Sequence, residues 1–150
     1  MNIESRFARA LVLAAGLLAS CAMGPPLKDR FSEAQPREKD GVVVYVYRMP
    51  SMVGAAVPWA VRLDGARVAS VRTGTYTVVR TSAGPHSITI GDLTPTLLGV
   101  VLDITLNKAG ALETRPNGVY FLRNSGFEAN FVSRDVAMKE IVDLMFDPSP

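Results

Sequence analysis

The stretch that decides the fold is Val42–Arg48, which reads Val-Val-Val-Tyr-Val-Tyr-Arg. Successive side chains of a β-strand point to opposite faces, so three valines share one face, and a valine and two tyrosines share the other. Both faces are therefore apolar, which is the pattern of a strand that is covered on both sides. We predict a central strand over residues 42–48.

The segments that follow repeat a strand and a turn at intervals of about ten residues. Asp64-Gly65 is a strong hairpin signal, and Gly74, Gly84-Pro85 and Asn117-Gly118 mark further turns. Residues 100–106 show the cleanest alternation of a half-buried strand. The predicted strands after the first are 59–64, 67–72, 75–80, 86–90, 100–106, 119–123 and 129–132.

The hydrophobic period changes from two to that of a helix near the C-terminus. Ser133 has the side chain of an N-cap, and the helix should end before Pro148. Between these positions apolar residues recur at helical spacing, namely Ala137, Ile141, Leu144 and Met145. The predicted fold is mainly β: an antiparallel β-sandwich or small open barrel with one C-terminal α-helix that closes one side.

The N-terminal residues have the layout of a secretory signal. Arg6 and Arg9 form a short basic region, and residues 10–19 follow without a charge. A helix that spans a bilayer needs roughly 20 apolar residues, so this run is too short to remain as an anchor. We predict that residues 1–20 are a cleaved signal peptide.

The predicted signal ends in Leu18-Ala19-Ser20-Cys21, a leucine followed by two small residues and a cysteine. This ending resembles the lipobox of the bacterial lipoproteins at all four positions. The resemblance implies that Cys21 receives a diacylglyceryl group and becomes the acylated N-terminus, and Ala22 implies sorting to the outer membrane, facing the periplasm. The alternative is a cysteine that falls in an apolar segment by chance.

The composition changes again between the signal and the first strand. Residues 21–40 combine Pro25, Pro26 and Pro36 with many charges, which is typical of a flexible tether. The remainder, residues 41–147, is long enough for one domain and short for two. We expect the membrane to be reached through the lipid on Cys21, with the β-domain standing off on this tether.

Four short motifs mark the predicted strands and turns between residues 42 and 91. They are Tyr45-Val46-Tyr47-Arg48, Leu63-Asp64-Gly65, Gly74-Thr75-Tyr76 and Gly84-Pro85-His86. This series resembles the bacterial lipoproteins with a β-sandwich domain of unknown function that is similar to the PEGA-type surface modules. The resemblance implies a small envelope β-domain with no established reaction.

Few residues could carry chemistry. His86 is the only histidine and Cys21 the only cysteine, so a zinc site lacks ligands, and there is no carboxylate pair, Gly-x-Ser-x-Gly or phosphate loop. We interpret His86 as a strand residue and Asp64 as a turn residue. No block of like charge would track nucleic acid. We expect no metal, no cofactor and no catalysis; the alternative is a small periplasmic enzyme with an unrecognised site.

Residues 49–59, the apolar loop, join two predicted strands without a single charge. Loops are normally exposed, and an exposed apolar loop suggests a surface that binds a protein or peptidoglycan partner. The alternative, that the loop folds over the open end of the sandwich and is mostly buried, stays open. The candidate contact residues are Met49, Met52, Val53, Val57 and Trp59. The expected function is thus a lipid-anchored binding or structural module of the cell envelope.

Overall fold

A computed structural model of the chain describes residues 23–30, 39, 41–52, 54–91, 96–97, 100–101, 111–126 and 128–148. Two β-sheets pack against each other, and a C-terminal helix covers one of them. The predicted mainly β sandwich with this helix is confirmed. Residues 1–20 and Cys21 lie outside the described residues, and so do residues 102–106 of the strand predicted over 100–106.

The elements occur in a simple order along the chain. The helices are α1 Leu27–Arg30 and α2 Arg134–Ile141. The strands are β1 Gly24–Pro26, β2 Val42–Arg48, β3 Trp59–Leu63, β4 Ala66–Val71, β5 Thr75–Thr81, β6 Gly84–Ile90, β7 Thr96–Leu97, β8 Val100–Val101, β9 Ala111–Thr114, β10 Val119–Ser125, β11 Glu128–Val132 and β12 Met145–Phe146.

Strand β2 is buried on both faces along its whole length, as its sequence predicts. It lies inside a six-stranded sheet of order β1-β12-β5-β2-β10-β11, and a four-stranded sheet of order β4-β3-β6-β9 packs on one face. Between the sheets lie Val42, Val44, Val46, Trp59, Val61, Val71, Ile88, Ile90 and Leu122. The opposite face is covered by α1, by α2 and by Leu144, which follows α2. The covering side chains are Leu27, Ala137, Ile141 and Leu144, and they pack over Val43, Tyr45, Tyr47, Tyr76 and Phe121.

The six-stranded sheet is mixed, whereas the predicted sheet was antiparallel throughout. Strand β10 runs parallel to β2, with Val119 beside Val43, and β12 runs parallel to β5. Hairpin turns produce antiparallel neighbours, but β2 and β10 are separated along the chain by seven other strands among the described residues and need no hairpin. The parallel pairs are therefore long-range pairings that local turn signals do not encode.

Helix α2 begins where the sequence predicts and ends earlier. The Ser133 side chain accepts a hydrogen bond from Val136 N, so Ser133 is the N-cap. The prediction that Met145 continues the helix is wrong, because Met145 lies in β12 between β5 and β1. Asp147 N then donates to Tyr76 O at 2.7 Å, so the backbone after the helix finds its partners in a sheet.

Part of the predicted tether is packed on the domain. Strand β1 pairs with β12, the Leu27 side chain is fully buried, and Lys28 N donates to Val142 O at 3.2 Å. The prediction of a flexible tether over residues 21–40 is therefore wrong for residues 24–30, which we call the docked segment. Its physical reason is Leu27, an apolar side chain that the helical layer buries. Residues 31–38 lie outside the described residues.

The docked segment supplies a direct test of this packing. Leu27→Ala should lower the free energy of unfolding by about 2–5 kcal/mol, because it leaves a cavity beside Ile141 and Leu144. Met23→Ala, an exposed position just before the segment, should change it by less than about 0.5 kcal/mol. Urea unfolding followed by the fluorescence of the single, buried Trp59 measures both. Equal stability of the two variants would mean that residues 24–30 are a free tether.

Candidate functional site

The apolar loop projects one strongly exposed side chain. Met52 is 93% exposed and Val57 is 38% exposed, and Pro50, Ala56 and Pro58 are also exposed. Val53 lies outside the described residues. The loop therefore does not fold flat over the end of the sandwich, since its tip presents apolar surface to solvent.

Of the predicted contact residues at the ends of the loop, one is fully buried and one is half-buried. Trp59 lies between the two sheets with no exposed surface, so its assignment to the binding surface is wrong. Met49 is half-buried against the cluster on the helical face and remains partly accessible. The most exposed candidate contact residues in the described part of the loop are Met52 and Val57.

A buried cation fixes the second half of the loop. Arg48 ends β2 and is fully buried, with its guanidinium carbon 4.0 Å from the centroid of the Trp59 ring. Its Nη1 donates to Val57 O at 3.1 Å, and burial lowers the pKa of Arg48. The contact between Arg48 and Trp59 was not predicted from the sequence. The available signal was an arginine directly after an apolar strand, with the only tryptophan on the next predicted strand.

The first half of the loop is fixed by the turn between β4 and β5. Ser51 N donates to Thr73 Oγ1 at 2.9 Å, and Gly74 N donates to Arg48 O at 3.0 Å. Gly54 has φ +60 and lies so close to Trp59 that a Cβ would stand 3.1 Å from the indole nitrogen. Glycine is the residue that adopts this conformation without strain. The tip thus projects from a base that is tied on both sides.

The structure also brings together two residues that the sequence left separate. Asp64 follows β3 and His86 lies in the neighbouring strand β6, and their Oδ2 and Nδ1 atoms are 2.8 Å apart. Ser87 N donates to the other carboxylate oxygen, Asp64 Oδ1, at 2.8 Å. The second ring nitrogen, His86 Nε2, lies 3.1 Å from both Thr81 Oγ1 and the carbonyl oxygen of Ser82.

This environment favours the charged form of both groups. The hydrogen bond to Asp64 raises the pKa of His86, while hydrogen bonds from Ser87 N and then His86 lower the pKa of Asp64. A carboxylate oxygen and a backbone carbonyl oxygen only accept hydrogen bonds, so each ring nitrogen carries a proton when both bonds form. The geometry therefore describes an imidazolium held by Asp64 on one side and Ser82 on the other.

The order carboxylate, imidazole, hydroxyl also occurs in the triads of acyl-transfer enzymes. A general base there needs an unprotonated nitrogen toward the hydroxyl. At this site the Ser82 carbonyl competes with Thr81 for Nε2, and an imidazolium has no lone pair to accept the threonine proton. The pair as it stands fastens the turn after β3 to β6.

The described residues contain no group of three or more histidine, cysteine, aspartate or glutamate side chains that could hold a metal ion. In the same part of the chain, none of the helices has the length and apolar character needed to cross a membrane.

Comparison with known proteins returned nothing: no family model, curated protein or solved structure matches this chain. The resemblance to lipoproteins with a PEGA-like domain therefore stays a prediction.

The pair of Asp64 and His86 makes stability depend on pH in a defined direction. Because the folded pKa of His86 is raised above its unfolded value of about 6.5, its stabilisation is complete below that pH and is lost as the pH rises through the folded pKa. Because the pKa of Asp64 is lowered, its contribution is present above about pH 3.9 and is lost as the pH falls.

We therefore expect the difference in unfolding free energy between the wild type and His86→Gln to shrink as the pH is raised from about 6 to 9. Urea unfolding at a series of pH values measures it. Asp64→Asn is the matched control and should remove most of this pH dependence. A difference that stays constant over the range would show that His86 is neutral in the folded protein.

Proposed function

We propose that this protein is a lipid-anchored, non-catalytic module of the bacterial cell envelope, held in the outer membrane on its periplasmic side. Its β-domain binds a protein or peptidoglycan partner through the tip of the apolar loop. Cleavage occurs before Cys21, and the diacylglyceryl thioether on that residue is the anchor. Support for the anchor comes from the four lipobox residues 18–21 and the short apolar run before them.

The physics of anchoring suits this arrangement. Each buried CH₂ group contributes about 0.8 kcal/mol, so a single acyl chain binds a membrane marginally, whereas two or three chains hold firmly. The chain offers one cysteine, at position 21, and the acyl thioether would occupy it.

The observation that carries the binding role is the exposure of Met52 on a fixed base. Met52 is 93% exposed, so a partner that covers it removes a large apolar surface from water, which favours binding. The base is already ordered by Arg48, Thr73 and Trp59, so little additional entropy is lost on binding. Methionine also adapts its shape to irregular partner surfaces.

One observation favours a second candidate function, a small periplasmic enzyme. Asp64, His86 and Thr81 are within hydrogen-bond distance in the order that acyl transfer uses. The contact of Nε2 with Ser82 O and the raised pKa of His86 argue against this role. The two functions differ in the residue on which they depend, which is His86 for the enzyme and Met52 for the binding module.

The anchor is tested by mass spectrometry of the mature N-terminus from the native membrane. We expect a chain that begins at Cys21 and carries the mass of the diacylglyceryl group. Cys21→Ala should leave the precursor uncleaved and without that mass, because the acylated thiol is lost. A wild-type chain without an acyl group would contradict the proposal.

The binding surface is tested with a photoreactive residue at position 52 of the full-length protein in intact cells. We expect cross-links from position 52 to one protein or to peptidoglycan. The matched control is position 68, where Val68 is exposed on β4, and it should give none of these products.

Substitutions separate the two candidate functions. Met52→Asp should remove most of the capture, because it places a charge in an apolar contact, with a change in stability below about 0.5 kcal/mol. His86→Gln should leave capture intact. If Met52→Asp changes nothing while a folded His86→Gln protein loses its biological role, the enzyme is the better account.

A further inference from the structure

We infer that the edge of the domain formed by β1 and β12 lies against the lipid bilayer, so that the domain rests on the membrane surface instead of standing off on a long tether. This inference rests on the proposed lipid anchor at Cys21. It identifies the surface that faces the lipid, because the docked segment holds the chain that follows Cys21 against the β1–β12 edge.

Only a short length of chain joins the proposed anchor to the domain. Cys21 precedes Met23 by two residues, and a residue spans at most about 3.6 Å, so the two Cα atoms are within about 7 Å of each other. Gly24 already pairs with Phe146. An acylated Cys21 at the bilayer surface thus leaves almost no freedom for the β1–β12 edge to move away.

The docked segment is held to the domain at several points. Leu27 is fully buried, Lys28 N donates to Val142 O, and Lys28 Nζ pairs with Asp143 at 3.3 Å. Gly24 lies against the ring of Phe146 so closely that a Cβ would stand 2.8 Å from it. The close contact requires glycine and shows a fitted interface at the point where the chain leaves the domain.

Apolar side chains are exposed at the β1–β12 edge. Met23 is 43% exposed and Met145 is 39% exposed, and Pro25 on β1 is also exposed. The sequence from Ala22 to Leu27 has no charge, and the Lys28–Asp143 pair beyond it is neutral as a unit. Apolar side chains beside a lipid anchor gain by entering the interface between headgroups and acyl chains.

The edge of the six-stranded sheet opposite β1 is expected to stay in water. Strand β11 is the other edge of the six-stranded sheet, five strand spacings from β1, and neighbouring strands are about 4.8 Å apart. Asn130 on β11 is exposed and lies about 24 Å across the sheet from β1. It is a matched position for comparison with Met145.

The experiment uses the full-length acylated protein in vesicles of phosphatidylethanolamine and phosphatidylglycerol. Acylation blocks the thiol of Cys21, so Met145→Cys or Asn130→Cys each provides one site for a nitroxide label. Electron paramagnetic resonance compares collisions with oxygen, which concentrates in lipid, and with a water-soluble nickel reagent. We expect the label at position 145 to lose its nickel collisions when the protein binds vesicles, and the label at position 130 to keep them.

A third variant isolates the docked segment. Gly24→Val places a branched side chain against Phe146, releases the segment and lengthens the connection to the anchor, so nickel collisions at position 145 should return while the protein stays on the vesicles. Trp59 fluorescence checks that the domain of the Gly24→Val variant remains folded. If this variant does not fold, Leu27→Ala is used in its place to release the docked segment.

Labels at 145 and 130 that are equally open to nickel on an acylated, vesicle-bound protein would overturn this inference and leave the proposed anchor intact. A mature chain without the acyl mass would instead overturn the anchor and this inference with it.

Discussion

The burial of both faces of β2 is the constraint on which the rest of the structure depends. A strand of valines and tyrosines cannot leave either face in water without losing the hydrophobic contribution of a large area. One face is covered by the four-stranded sheet and the other by two helices. The cover on the helical face is small, since α2 has eight residues. This explains why the docked segment, which includes α1, also packs on this face. The docked segment is thus linked to the core through Leu27.

Both ends of the sandwich use charged groups to fix loops, in different ways. At one end the buried Arg48 stacks on Trp59 and orders the base of an apolar tip. At the other end Asp64 and His86 fasten a turn through an exposed ion pair whose strength depends on pH. Salt screens a buried charge less than an exposed pair, and an arginine keeps its charge over the ordinary pH range, whereas a histidine does not. The candidate binding surface stands on the more constant of the two.

The sequence predicted those parts of the fold that local chemistry determines. Alternation located β2 to β6, Asp64-Gly65 located a hairpin, and Ser133 located the start of α2. The parallel neighbours of β2 and β5, the return of Met145 as a strand and the docking of Leu27 depend on residues far apart in the chain, so no window of sequence contains them. At the candidate site the sequence located the apolar loop but not which residues are exposed: Trp59 and Met52 are equally apolar, and only packing separates them.

Hydrogen exchange followed by mass spectrometry on the intact protein tests the central claim. This claim is that both faces of β2 are buried and that the docked segment packs on the domain as part of the cover over one face. The account predicts that amides of β2 exchange among the slowest in the chain, and that the Lys28 amide, which donates to Val142 O, is protected as well. Fast exchange at Lys28 together with slow exchange in β2 would contradict the docking of the N-terminal segment. Fast exchange in β2 itself would contradict the fold.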